Sequence, residues 1–259
     1  MLRTKDVAYS IGSKQILKGI TLDFTAGEFA MILGPNGSGK STYLKIFSGE
    51  INKFEGEVWY DEKPINAIQK EQLSTCRAVM SQQTELSFPL TVEEVVMMGR
   101  YPHFSFNPNK KDIAICDEVI VRMNLETFRE RNYTTLSGGE KQRVQYARVL
   151  AQIWENPSQG NRYLFLDEPL NNLDIAYQQD FLAMARVLKN ENTVLVAVMH
   201  DINLAIQYAD KLVFFKEGAM VASGRPKELV NATLLKDVFD VKTTVIDNPV
   251  NGEPLVVFG

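Results

Sequence analysis

Cysteine is nearly absent from this sequence. Its 259 residues hold two, Cys76 and Cys116. They stand far apart and outside any Cys-x-x-Cys spacing, which excludes a disulfide scaffold. Free thiols in a reducing compartment are the expectation. Long apolar runs are missing too. None approaches the ~20 residues that span a bilayer. Met1–Ser10 holds no apolar stretch flanked by basic residues, so no secretion signal is expected. An excess of positive charge is also lacking: 28 basic against 32 acidic residues give a formal charge of -4. That excludes a general attraction to nucleic acid or anionic lipid, and any polyanion must be held by a local site. Internal repeats and low-complexity segments are not found.

What is there is an ordinary globular composition. The chain is 45% hydrophobic and 23% charged, enough apolar mass for a sizeable core. The length fits one large domain or two small ones. Short alternating runs at Val7–Ile11 and Ile20–Phe24 predict half-buried strands. Glu28–Leu33 is mostly apolar and stops at a glycine-rich turn, as a buried strand does. Glu57–Tyr60 predicts another strand. From Val92 to Arg100, Ile113 to Met123 and Gly139 to Trp154 the pattern is helical, broken by the polar loop Ser105–Lys111. After the connector Glu155–Asn161 the β/α alternation resumes. Tyr163–Leu166 and Thr193–Met199 are near-continuous apolar strands, expected of a parallel sheet covered on both faces. Asp180–Leu188 and Asn203–Ala209 predict helices, and Leu255–Phe258 a final strand. The reading is an α/β core interrupted by a helical insert.

The first motif with chemistry is Gly34-Pro35-Asn36-Gly37-Ser38-Gly39-Lys40-Ser41, which fits G-x-x-x-x-G-K-[ST]. Glycines let backbone N–H groups turn inward around an anion, and the helix that follows adds its positive end. Lys40 is expected between the β- and γ-phosphates, the Ser41 hydroxyl on Mg²⁺ and Thr42 on a phosphate oxygen. The strand before it and the helix after it meet the motif's context test. The second half is Asp167-Glu168, at the carboxyl end of Tyr163–Leu166, where ligands sit in open α/β sheets. Asp167 is expected to hold Mg²⁺ and Glu168 to activate the attacking water as general base. No guanine-reading N-K-x-D follows, which favours ATP over GTP.

Leu136-Ser137-Gly138-Gly139-Glu140, followed by Gln142-Arg143, narrows the reading. It offers a second anion site at a helix N-terminus. With this run in place, nearly the whole chain resembles the ATP-binding subunits of ABC transporters. The resemblance implies a P-loop NTPase ABC cassette of α/β class. Its RecA-like mixed-sheet core carries N-terminal antiparallel strands and an inserted α-helical subdomain. One domain, 1–259, divides into a core of 1–86 and 160–259 and a helical subdomain of 87–159.

The resemblance also implies that Leu136–Glu140 reaches ATP bound to the other copy of a head-to-tail homodimer. It places Tyr9 on adenine, Gln82 as the residue sensing Mg²⁺ and water, His200 as the switch histidine and Asp174 in the loop after the base. Gln83 stands beside Gln82, and the match leaves open which of the two holds that place. Asn171 and Asn172 depart from the usual Ser-Ala ahead of Leu173-Asp174.

The segment Ser87–Arg100 resembles the branch that imports ferric siderophores, heme and cobalamin. Phe88, Leu90, Val92 and Met97 are candidates for a permease-docking groove or for subdomain core. Ala151–Trp154 and Arg77–Met80 look most like heme importers. The implied role is an ATP-hydrolysing importer motor, peripheral on the cytoplasmic face of the inner membrane. Its partners are transmembrane permease subunits and, through them, a substrate-binding protein, with no nucleic acid and no direct contact with cargo. Heme is the expected cargo, ferric siderophore or cobalamin the alternative, and a soluble ABC ATPase without a permease the competing class.

Overall fold

The computed structural model describes residues 1–81, 86, 88–157, 160–171 and 173–259. Gln82 and Gln83 lie outside the described residues, as do Ser87 and Asn172. The chain forms two compact units: Met1–Ala67 with Leu182–Gly259, and Ile68–Phe181.

The first unit opens on an antiparallel sheet. Leu2–Ile11 pairs with Lys14–Phe24 on one side and Glu55–Tyr60 on the other. Ile20, Leu22 and Phe24 face the core while Thr21 and Asp23 face solvent, the period-two pattern of a strand with one wet face. Both strands outrun the expected 7–11 and 20–24, because register shifts around Val7 and Tyr9 interrupt the alternation there.

The core strand Phe29–Leu33 has no alternation, since all five residues are buried. It lies between two parallel neighbours, Thr193–Val198 and Lys211–Lys216. Ala219–Gly224 adds antiparallel to Lys211–Lys216. This last hairpin was not predicted. The expected final strand exists as Pro254–Phe258, with a partner at Thr243–Asp247. Asn203 fastens it to the helix Ile202–Tyr208: its Nδ2 donates to Val256 O at 3.0 Å, and Val256 N donates back to its Oδ1 at 2.9 Å.

The second unit holds two parallel strands, Arg77–Met80 and Arg162–Asp167, with helices between them in sequence. The helix Lys110–Arg122 begins three residues before the predicted Ile113, because Asn109 and Asp112 form a capping box. The helix at Val92 ends at Met97 and passes into a 3₁₀ segment, Met98–His103. Two features stop the α-helix: Pro102 lacks an N–H, and Gly99 packs so tightly that a Cβ would meet Arg148 O at 2.0 Å.

Arg100 is then drawn fully inside. Its guanidinium donates to Asp112 Oδ1 at 3.0 Å, Ala151 O at 2.8 Å and Glu155 Oε2 at 3.0 Å. Val92 is fully buried and is core, whereas Phe88 is 68% exposed. Cys116 is buried, Cys76 is half-buried, and neither is in a disulfide. Among the described residues, no helix is long and apolar enough to cross a membrane.

Candidate functional site

In the first unit the phosphate loop follows Phe29–Leu33 and ends in the helix Lys40–Phe47. Three glycines carry left-handed backbone, Gly34 at φ +153°, Gly37 at +77° and Gly39 at +98°. Gly34 has no room for a side chain, since a Cβ would lie 2.2 Å from Phe215 O. Tyr43 N closes the first helical bond on Gly39 O at 2.8 Å, and no acidic residue occupies the first turn to oppose an anion. Lys40 is buried, and its ammonium donates to Gly34 O at 2.8 Å and Pro35 O at 3.1 Å. It is thereby held at the loop rather than in solvent. The Ser38 hydroxyl is buried with no hydrogen-bond partner. A buried orphan hydroxyl costs about 1–3 kcal/mol, and an anion in the loop would satisfy it. Ser41 and Thr42 occupy the first helical turn and are half-buried.

Two further predicted residues lie in this unit. Tyr9 is half-buried and pairs across the sheet with Leu17. The Leu17 side chain approaches so closely that a Cβ on Gly39 would meet its Cδ2 at 2.7 Å. His200 is exposed and follows Met199, whose N–H donates to Ile32 O at 3.0 Å. The histidine thus stands past the carboxyl end of the strand that feeds the loop. Gly218 was missed by sequence reasoning. Its N–H donates to Ser38 O at 3.1 Å and its carbonyl accepts from Lys18 N at 2.8 Å, bracing the loop from the turn after Lys216.

In the second unit Asp167 ends its strand and is buried, and Glu168 follows at φ +52°. Left-handed backbone on a non-glycine residue is sparsely populated and clusters at functional positions. The next turn folds Asn171 back, so that its Nδ2 donates to Glu168 Oε2 at 2.9 Å. Asp174 Oδ1 accepts from Tyr177 N at 2.9 Å, capping the helix Ile175–Leu188.

The helix Gly138–Gln152 begins in the same unit. Ser137 is its N-cap, in a capping box in which Ser137 N donates to Glu140 Oε2 at 2.7 Å. That backbone N–H holds the Glu140 carboxyl below the ordinary glutamate range. Leu136 is buried beneath the turn, whereas Ser137 and Gly138 are exposed. A Cβ on Gly138 would meet nothing within 4 Å, and one on Gly139 would lie 3.5 Å from Leu173. The signature turn and the Asp167–Asp174 loop are therefore neighbours within one unit. Gln142 tightens the link by donating its side-chain amide to Pro169 O. Among the described residues, no cluster of three His, Cys, Asp or Glu side chains could hold a metal alone.

The ABC transporter family model matches residues 17–171. The chain belongs to the ABC transporter ATP-binding family. Over 261 residues the cassette is 38% identical to the hemin import ATP-binding protein HmuV of Escherichia coli O157:H7, covering 99% of both chains. Over 257 residues it is 40% identical to the hemin import ATP-binding protein HmuV of Gloeobacter violaceus, covering 99% of this chain and 94% of that one. The structure of an inward-facing metal-chelate type ABC transporter superposes with a TM-score of 0.82 at 22% identity, covering 100% of this chain and 96% of that chain. At that identity it shows a shared fold. The cassette is thus a nucleotide-binding, ATP-hydrolysing transporter ATPase.

Proposed function

We propose that the cassette is the motor of a hemin importer. It would act as a homodimer against separate permease subunits on the cytoplasmic face of the membrane. The observation that carries the cargo is full-length identity of 37–40% to six hemin import ATP-binding proteins. In this reading the cargo passes through the permease, and its assignment rests on the relatives rather than on a residue of the cassette.

The chemistry rests on the two halves of the site acting on one nucleotide, as the motif order of the family supports. The glycine loop, Ser38, Lys40 and Thr42 hold the phosphates, and Tyr9 stacks on adenine. Ser137, Gly138 and Gly139 of each copy complete the site of the other, facing the γ-phosphate. Glu168 accepts a proton from water, whose oxygen bonds to the γ-phosphorus as the bond to the ADP oxygen breaks. His200 contacts the γ-phosphate, and Asp174 fixes the loop behind the base.

Mg²⁺ suits the donors present. Ser41, Asp167 and Gln82 are hard oxygen donors, too few for an all-protein cage, and Mg²⁺ is usually held by one or two carboxylates, here Asp167 alone, beside phosphate oxygens and water. When bound it neutralises charge on the phosphates. The core 1–86 with 160–259 supplies the phosphate loop and the base, and 87–159 supplies the signature and the permease contact. The exposed Phe88 belongs to that contact surface.

The test is ATP hydrolysis by the complex reconstituted in membranes, challenged with binding protein loaded with heme, ferric siderophore or cobalamin. Selective stimulation by heme is expected. Stimulation by another cargo overturns the heme assignment, and a chain that co-purifies with no permease overturns the importer reading.

A further inference from the structure

The loop after the base departs from the usual Ser-Ala at Asn171 and Asn172, and in this chain the first asparagine has a specific task. Glu168 lies on left-handed backbone at φ +52°. The turn after it supplies a restraint on its side chain. Asn171 N donates to Glu168 O at 3.4 Å, and Asn171 Nδ2 donates to Glu168 Oε2 at 2.9 Å. An ionised carboxylate has only acceptors, so the contact requires the amide nitrogen, not the amide oxygen, to face it. Between them, Pro169 is held by its ring and by Gln142, which donates to its carbonyl. The backbone of the turn is therefore fixed at its middle and the carboxylate at its end.

We propose that Asn171 is a positioning residue for hydrolysis: it clamps one oxygen of Glu168 so that the carboxylate is aimed at water before the nucleotide arrives. The proposal rests on Glu168 being the base. A base aimed in advance spends less of its barrier on orientation, and a misplacement of about 1 Å costs on the order of 100-fold in rate. Aspartate at this position has the same shape but no donor, and sets a second negative charge against Glu168. Alanine removes the clamp without adding repulsion.

The full-length protein with Asn171→Asp, Asn171→Ala or Glu168→Gln is assayed for steady-state ATP hydrolysis, ATP binding by titration, and melting temperature. The proposal predicts kcat lowered about 100-fold by Asn171→Asp and about 10-fold by Asn171→Ala. KM for ATP stays within about twofold, because binding is untouched. It is overturned if Asn171→Asp leaves kcat within about twofold of the unsubstituted protein. It is equally overturned if both variants lose ATP binding and melting temperature along with kcat, which marks a structural role. Glu168→Gln separates the two readings. If Glu168→Gln abolishes hydrolysis while the Asn171 variants do not, the clamp fails and the base stands. If Glu168→Gln hydrolyses normally, the base itself fails.

Discussion

Gln142, in the second turn of the signature helix, donates its side-chain amide to the carbonyl of Pro169, the residue after Glu168. The helix that presents Ser137 and the loop that presents Glu168 are joined at one side chain. Replacing Gln142 with methionine keeps its length and leaves the half-buried carbonyl without its donor. A loss of about 1–3 kcal/mol is expected. Urea unfolding of the two proteins checks it, and an unchanged midpoint contradicts the link.

Lys40 is the one phosphate-loop side chain that brings a full charge to the site. Its ammonium is already aligned by Gly34 O and Pro35 O. A charge-assisted hydrogen bond contributes about 1.5–3 kcal/mol, so Lys40→Ala lowers ATP affinity by about 10- to 100-fold. Calorimetric titration with ATP measures this directly. Affinity equal to that of the unsubstituted protein removes Lys40 from the phosphate contacts.

Tyr146 carries a hydroxyl that is fully buried, packed against Phe181 and without a hydrogen-bond partner. Burial pushes its ionisation far above the ordinary tyrosine range. Tyr146→Phe removes only the orphan group and is expected to raise stability by up to about 1 kcal/mol. A lower melting temperature for the variant shows that the hydroxyl is satisfied.

Glu94 closes the capping box of the helix Val92–Met97, accepting from Thr91 N at 2.7 Å and Thr91 Oγ1 at 3.0 Å. Those bonds hold its carboxyl below the ordinary range, the backbone N–H foremost. A depressed folded value stabilises above the unfolded value of about 4.3 and is lost as pH falls through the folded one. Glu94→Gln therefore lowers the melting temperature at neutral pH, and the gap closes on acidification. Melting curves at a series of pH values read the effect. A gap that widens toward acid contradicts it.

Much of the site is legible in the sequence because its chemistry demands fixed spacing. Gly34–Ser41 keeps the spacing that an anion-holding loop needs, and Ser137–Glu140, which resembles the family signature, is also a capping box. The buried strand Phe29–Leu33 is legible for a different reason, since a strand covered on both faces is apolar throughout. What escaped depends on contacts distant in sequence or on caps hidden in polar stretches. Asn109 reads as loop until its side chain is seen closing a helix. The helix Ile175–Leu188 starts five residues before the predicted Asp180, because Ile175 and Tyr177 are exposed and break the apolar period. The strands Lys211–Lys216 and Ala219–Gly224 were missed because lysines flank the first and the second is only half-buried. Asn171 and Gly218 carry no motif, and their roles exist only in the folded turn.

The account turns on Glu168 as the base in a site closed by a second copy. The most direct measurement is Glu168→Gln mixed with ATP and Mg²⁺, followed by light scattering and phosphate release. The account predicts a dimer that forms only with ATP, and turnover lowered by about 10²- to 10⁴-fold. Turnover near that of the unsubstituted protein, with the chain still monomeric in ATP, would contradict it.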